Sequence, residues 1–174
     1  PAPAPGPAQA QPIRSLPAPC GMVPHTTVRQ IVPDAKQSKS ANSTLTTCTY
    51  TAPGREARWL RVEAHLHLQM GATDPVKNAQ DYYNAQWTQA RAPQLERTIT
   101  LEPQPDMGDQ AYRWFKVDKG QPTVVGVVTA RIRNVVVTVS YSEQAVGKGE
   151  QEEREGACMA KVMRTAREVL RSLH

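Results

Sequence analysis

The sequence predicts an α+β fold: a largely antiparallel twisted β-sheet packed by helices, in the order α-β-β-α-β-β-β-β-α. Three observations carry this. Residues 60–70 alternate apolar and polar side chains, three β-rich runs follow one another between 111 and 141 with only turn signals between them, and two segments place apolar residues at steps of three and four. Period-two alternation marks a strand with one face on a core, steps of three and four mark a helix with one buried stripe, and short connections join antiparallel neighbours.

Eight of the 15 prolines lie in the first 24 residues, and Pro1–Pro12 has neither apolar periodicity nor a full set of backbone donors. Residues 1–16 are therefore expected to be a disordered tether, and 17–174 a single α+β domain. At ~3.1 Å per residue in polyproline geometry the tether would reach ~50 Å. Pro24 to Val32 sets Val28, Ile31 and Val32 at helical spacing between a first-turn proline and the terminating Pro33, which predicts a short helix. Pro33 to Ala41 is polar and aperiodic and reads as an exposed loop. Thr44–Thr51 gathers Thr and Tyr, both strand formers.

After the Pro53-Gly54 turn, Leu60, Val62, Ala64, Leu66, Leu68 and Met70 alternate with Arg61, Glu63, His65, His67 and Gln69, a long amphipathic strand. Asp74-Pro75 opens a helix whose stripe is Val76, Ala79, Tyr83, Trp87 and Ala90, ended by Pro93. A strand at Arg97–Leu101 and a loop at Pro103–Gly108 lead to three more strands, Ala111–Val117, Thr123–Ile132 and Val135–Tyr141, with turns at Gly120 and Asn134. Val124, Val125, Val127 and Val128 put apolar side chains on both faces of their strand, which places it inside the sheet, covered from both sides. A final helix from about Glu150 to Leu173 is acidic at its start and basic towards its end, as the helix dipole favours. Its buried stripe is Met159, Val162, Met163, Ala166, Val169, Leu170 and Leu173.

The 174 residues are 39% apolar and 5% aromatic, with a net charge of +5. Residues 1–100 carry 10 basic and 6 acidic side chains and residues 101–174 carry 11 and 10, so no basic arm exists. With aromatics also scarce, nucleic acid is not an expected partner. No apolar run approaches the ~20 residues that span a bilayer. Membrane association is expected through the tether only, with any export signal or anchor lying upstream or removed.

Cys20, Cys48 and Cys158 form no Cys-x-x-Cys pair and have no adjacent histidine, so no metal centre is expected. Cys20 precedes the first helix and Cys48 lies in the first strand; a bridge between them would fasten helix to sheet across 28 residues. Such a bridge would stabilise the fold by roughly 3–4 kcal/mol on chain-entropy grounds. Cys158 is then a buried free thiol, with pairing to Cys20 or Cys48 as the alternative. A persistent disulfide implies an oxidising compartment, which agrees with the proline tether and is consistent with export.

Pro19-Cys20-Gly21-Met22-Val23 leading into Val28–Val32, followed by Cys48-Thr49-Tyr50, resembles a family of actinobacterial secreted lipoproteins and envelope domains marked by Pro-Cys, an apolar pair, a short helix and Cys-x-aromatic. Gly108-Asp109-Gln110-Ala111-Tyr112, the strand at Arg131–Val139 and the last helix extend the resemblance over most of 17–174. Gly21-Met22-Val23 stands where a Leu pair is more usual, and Cys158 has no expected counterpart. The resemblance implies a domain held at the outer face of the cell membrane or secreted, similar to the extracellular sensor domains of bacterial Ser/Thr kinases.

His65 and His67 lie two apart on one strand face, about 7 Å apart by strand rise. Arg131 and Arg133 share a strand face with Val125, Val127 and Thr129, expected beside the histidine strand. Together the four are the candidate ligand-binding residues, a half-apolar and half-basic groove for an anionic amphiphile or a peptide; the plainer reading is a solvated polar face. Zinc would need ligands beyond Glu63, and none is local. Glu102, Asp106 and Asp109 match no calcium loop, Gly147-Lys148-Gly149 is no phosphate cradle, and neither Gly-x-Ser-x-Gly nor Ser-x-x-Lys occurs. No catalytic residue, metal or cofactor is assigned. The expected function is non-catalytic and sensor-like: binding an envelope component, a small amphiphilic ligand or a membrane signalling protein outside the cytoplasm. A cell-wall hydrolase with a site assembled from distant residues and a purely structural envelope lipoprotein are the alternatives.

Overall fold

The computed structural model describes residues 11–54, 56–92, 97–118 and 120–174. Seven strands form one antiparallel sheet: β1 (Lys36–Ala41), β2 (Leu45–Ala52), β3 (Arg58–Leu66), β4 (Arg97–Pro103), β5 (Gln110–Val117), β6 (Thr123–Ile132) and β7 (Val135–Gln144). Their spatial order is β1-β2-β3-β7-β6-β5-β4. The helices are α1 (His25–Ile31), α2 (Pro75–Arg91), α3 (Lys148–Glu153) and α4 (Glu155–Arg171). The α+β class and antiparallel sheet expected from the sequence are present, with one strand more and the last helix divided.

The extra strand is β1, which the sequence presents as a loop. All six of its residues are exposed, so no alternation marks it, and it owes its extended form to the ladder with β2 from Lys36 opposite Thr51 to Ala41 opposite Thr46. Its two lysines suit an unprotected sheet edge. The long strand predicted to Met70 stops at Leu66, because β7 begins at Val135 directly opposite it. Leu68 and Met70 are consequently exposed rather than buried. Arg154 divides the last helix while keeping near-helical angles (φ −76°, ψ −12°).

The tether expectation does not hold for residues 11–16. Ile13 is buried at 1% exposure, its backbone N–H donating to Asn134 Oδ1 at 2.6 Å and its carbonyl accepting from Asn134 Nδ2 at 2.8 Å. An extended segment with one large apolar residue shows no periodicity, so its docking is invisible in composition. The part of the expectation that covers residues 1–10, like the helix stop at Pro93, lies outside the described residues.

Two apolar layers flank the sheet. One is covered by α1 and α4 and contains Cys48, Tyr50, Leu60, Val62, Phe115, Val128, Val139 and Tyr141. The other is covered by α2 and contains Tyr112, Trp114, Val125, Val127 and Val136. β6 supplies both, as its double-sided valines require. Gly126 lets α4 approach β6, since a Cβ there would stand 3.1 Å from Met159 Sδ. Gly108 has φ +59° and a Cβ site 2.6 Å from the Arg131 carbonyl, so only glycine fits. The Cys20–Cys48 disulfide is present, with Cα atoms 5.2 Å apart, and Cys158 is free and buried.

Candidate functional site

The sequence-predicted residues gather at one end of the sheet, in two groups. His65, Val136, Arg131 and Gln110 form one cross-strand row beneath α2. β7 separates the histidine strand from the arginine strand, so they are not neighbours as expected, and two strand spacings put them ~10 Å apart. His67 lies just past the end of β3, and its ring centroid stands 4.4 Å from that of His65. This is closer than continued strand geometry gives. Tyr82 of α2 packs on both rings at 4.8 and 5.0 Å.

Burial lowers the pKa of His65, with Glu63 pulling the other way, and burial followed by the His65 charge brings His67 down to about 4. Both imidazoles are therefore neutral at pH 7. His67 Nε2 is buried with no hydrogen-bond partner among the described residues. No group of three His, Cys, Asp or Glu converges on a common point among those residues.

Arg131 is 6% exposed and held through two of its nitrogens: Nε donates to Gln110 Oε1 at 2.7 Å, and Nη1 donates to the Arg133 carbonyl at 2.8 Å and to Asp109 Oδ2 at 3.4 Å. Arg133 does not share the β6 face. It sits in the β6–β7 turn at φ +51°, with its N–H on Asp109 Oδ2 and its guanidinium on the Gln11 carbonyl. Both arginines line a polar cavity of about 540 Å³ that also takes in Gln11, Asp74, Gln80 and Asp109 but neither histidine. Asn134 joins the two groups. Besides its two bonds to Ile13, its Nδ2 donates to the His67 carbonyl at 2.9 Å and its own carbonyl accepts the His67 N–H at 2.8 Å. The sequence marks it only as a turn residue.

A cavity of about 550 Å³ on the opposite face of the sheet, between α4 and the β4–β5 edge, was missed. Phe115, Met159, Ala160 and Met163 supply its apolar lining. Thr100, Glu102, Arg113 and Glu155 supply the polar part, with Arg113 paired to Glu102 across the strands and the Thr100 hydroxyl donating to Glu155. One cation against two carboxylates leaves this part net negative. Two thioethers four residues apart make an adaptable wall, and the exposed Gly156, whose Cβ site has nothing within 4 Å, leaves space beside them. The only sequence signal is Gly156, Met159 and Met163 on one helical face, which a buried stripe explains equally well.

A third cluster is structural. Cys158 donates to Glu143 Oε1 at 3.0 Å, and Glu143 also pairs with Arg154 and, at 3.8 Å, with Lys161. Burial, then the hydrogen bond to Glu143 and its negative charge, push the thiol far above the usual cysteine range. Burial alone would raise the Glu143 carboxyl, but the Cys158 bond and the charges of Lys161 and Arg154 outweigh it and hold the carboxyl low. This thiol is no nucleophile.

No protein-family model and no curated protein matches the sequence. Among solved structures, the Saccharomyces cerevisiae Ran-binding protein Mog1p is similar at a TM-score of 0.37 with 13% identity, over 81% of this chain and 95% of that one. A point mutant of the protein Mog1 is similar at 0.36 with 14% identity and the same coverage. Likeness at this level carries no inference about function.

Proposed function

We propose that this chain is a non-catalytic extracytoplasmic binding domain, held at the outer face of the cell membrane or secreted, that takes a small amphiphile with an uncharged polar head into the cavity between α4 and the β4–β5 edge. The carrying observation is the composition of that cavity. Its volume of about 550 Å³ suits a small ligand, its thioether and phenyl walls suit an alkyl chain, and Thr100, Glu102, Arg113 and Glu155 offer donors and acceptors to a head group. The net negative charge there disfavours an anionic head, which distinguishes this site from the arginine cavity on the other face. The Cys20–Cys48 disulfide, the proline-rich N-terminal sequence and the resemblance to secreted lipoproteins support the location. A sensor-like role follows if the loaded domain presents the occupied α4 surface to a membrane signalling protein.

Ligand that binds only the folded state raises its stability by about 2.7 kcal/mol at 100 times Kd. Dodecyl maltoside below its micellar concentration is expected to raise Tm saturably, whereas maltose is not. A flat response to dodecyl maltoside, decyl maltoside and dodecyl phosphocholine alike would refute the proposal.

A further inference from the structure

An open groove of about 450 Å³ runs between α2 and the segment joining β4 to β5. Its aromatic floor is Tyr83, Trp87 and Tyr112, with ring centroids 5.0 Å apart for Trp87 and Tyr112 and 5.7 Å for Tyr83 and Tyr112. Pro103 and Pro105 form a wall, and Asn84, Gln104 and Gln110 contribute amides. None of the lining residues is charged, although 21% of the chain is. Arg91 holds its guanidinium 5.1 Å from the centroid of the Trp87 ring. Among the described residues no hydrogen bond engages the Trp87 indole N–H or the Tyr83 hydroxyl.

We propose that this groove binds an uncharged proline-rich peptide segment of a partner protein in polyproline II conformation. Such a segment makes no internal hydrogen bonds, so its carbonyls are open to donors such as the indole N–H, while its rings pack between aromatic ridges at little ordering cost. A cationic ligand would find no counter-charge in the lining and would lose its hydration there. Gln11 and Pro12 line a neighbouring cavity together with Asp74, Val76 and Gln80 at the start of α2. Gln80 and Trp87 are seven residues apart on the same helix, ~10 Å at 1.5 Å per residue. The groove therefore lies about two helical turns from a cavity that Pro12 lines.

A synthetic peptide with the sequence of residues 1–12 has the required composition, with prolines at 1, 3, 5, 7 and 12 and no charge. Titrated into the 15N-labelled full chain, it is expected to shift the Trp87 indole and the Asn84 and Gln104 side-chain resonances saturably. A peptide with every proline replaced by alanine is expected to bind about tenfold more weakly, and Trp87→Ala to weaken the proline peptide by a similar factor. Asn84→Lys, at an exposed helix position away from the core, gives the same reading if Trp87→Ala fails to fold. Absence of saturable shifts, equal binding of the alanine peptide, or shifts produced at these residues by cellohexaose and not by the peptide would each overturn the proposal.

Discussion

The Cys158 thiol and the Glu143 carboxylate form a 3.0 Å hydrogen bond between α4 and β7, with Cys158 fully buried and Glu143 only 7% exposed. A buried carboxylate is tolerated here because Arg154 and Lys161 reach it from α3–α4 and the thiol satisfies a further lone pair. The bond thus ties the last helix to the end of β7 and suppresses thiol reactivity. Cys158 is expected to resist iodoacetamide in the native protein and to be alkylated at once in 6 M guanidinium, as read by intact mass. Glu143→Ala should cost about 1–3 kcal/mol in urea unfolding, since it leaves the buried thiol without an acceptor, while Arg154 keeps its pair with Glu150.

Asn134 holds Ile13, His67 and the β6–β7 turn with its side-chain amide. Asn134→Ala leaves buried backbone groups of Ile13 unpaired and is expected to cost about 2–4 kcal/mol. Limited proteolysis checks the mechanism: cleavage near residues 11–16 should accelerate more than cleavage elsewhere.

His67, at a pKa of about 4, binds its proton less readily folded than unfolded. The unfolded chain therefore takes up more protons between the usual imidazole range and pH 4. The stability that neutral His67 contributes is complete above pH ~6.5 and falls as pH drops towards 4. Carboxylates titrate in the same window, so the diagnostic is a difference: His67→Phe keeps the ring packing, and its Tm should decline less between pH 7 and pH 4.5 than that of the natural chain. Parallel declines would contradict this.

Removing the Cys20–Cys48 bridge with Cys20→Ser and Cys48→Ser together frees a 28-residue loop and is expected to lower stability by about 3 kcal/mol. Non-reducing peptide mapping should recover the Cys20–Cys48 pair with Cys158 unpaired.

What the sequence revealed depended on whether an element had a buried face. β6 and α4 bury long apolar sets and stood out through period alone. β1 buries nothing, so Lys36–Ala41 carried no signal although it pairs along its whole length. Residues 68–70 kept an apolar alternation with no strand left to pair, because the β6–β7 turn at Asn134 ends the sheet there. The disulfide was legible, since only two cysteines sat where a helix meets a strand. The amphiphile cavity was not, since a methionine lining a cavity and one filling a core have the same helical spacing. Arg131 and Arg133 did meet at a cavity, but the left-handed backbone at Arg133, which turns it off the strand face, has no counterpart in residue type.

Gly156→Leu tests the central claim most directly. The substitution places a side chain in space that is open beside Met159 and Met163, removes a glycine from a helix and touches no core contact. Isothermal titration with monomeric dodecyl maltoside should give saturable binding to the natural chain and at least about tenfold weaker binding to Gly156→Leu, at unchanged or higher Tm. Equal affinity of the two proteins would place the ligand elsewhere and contradict the account.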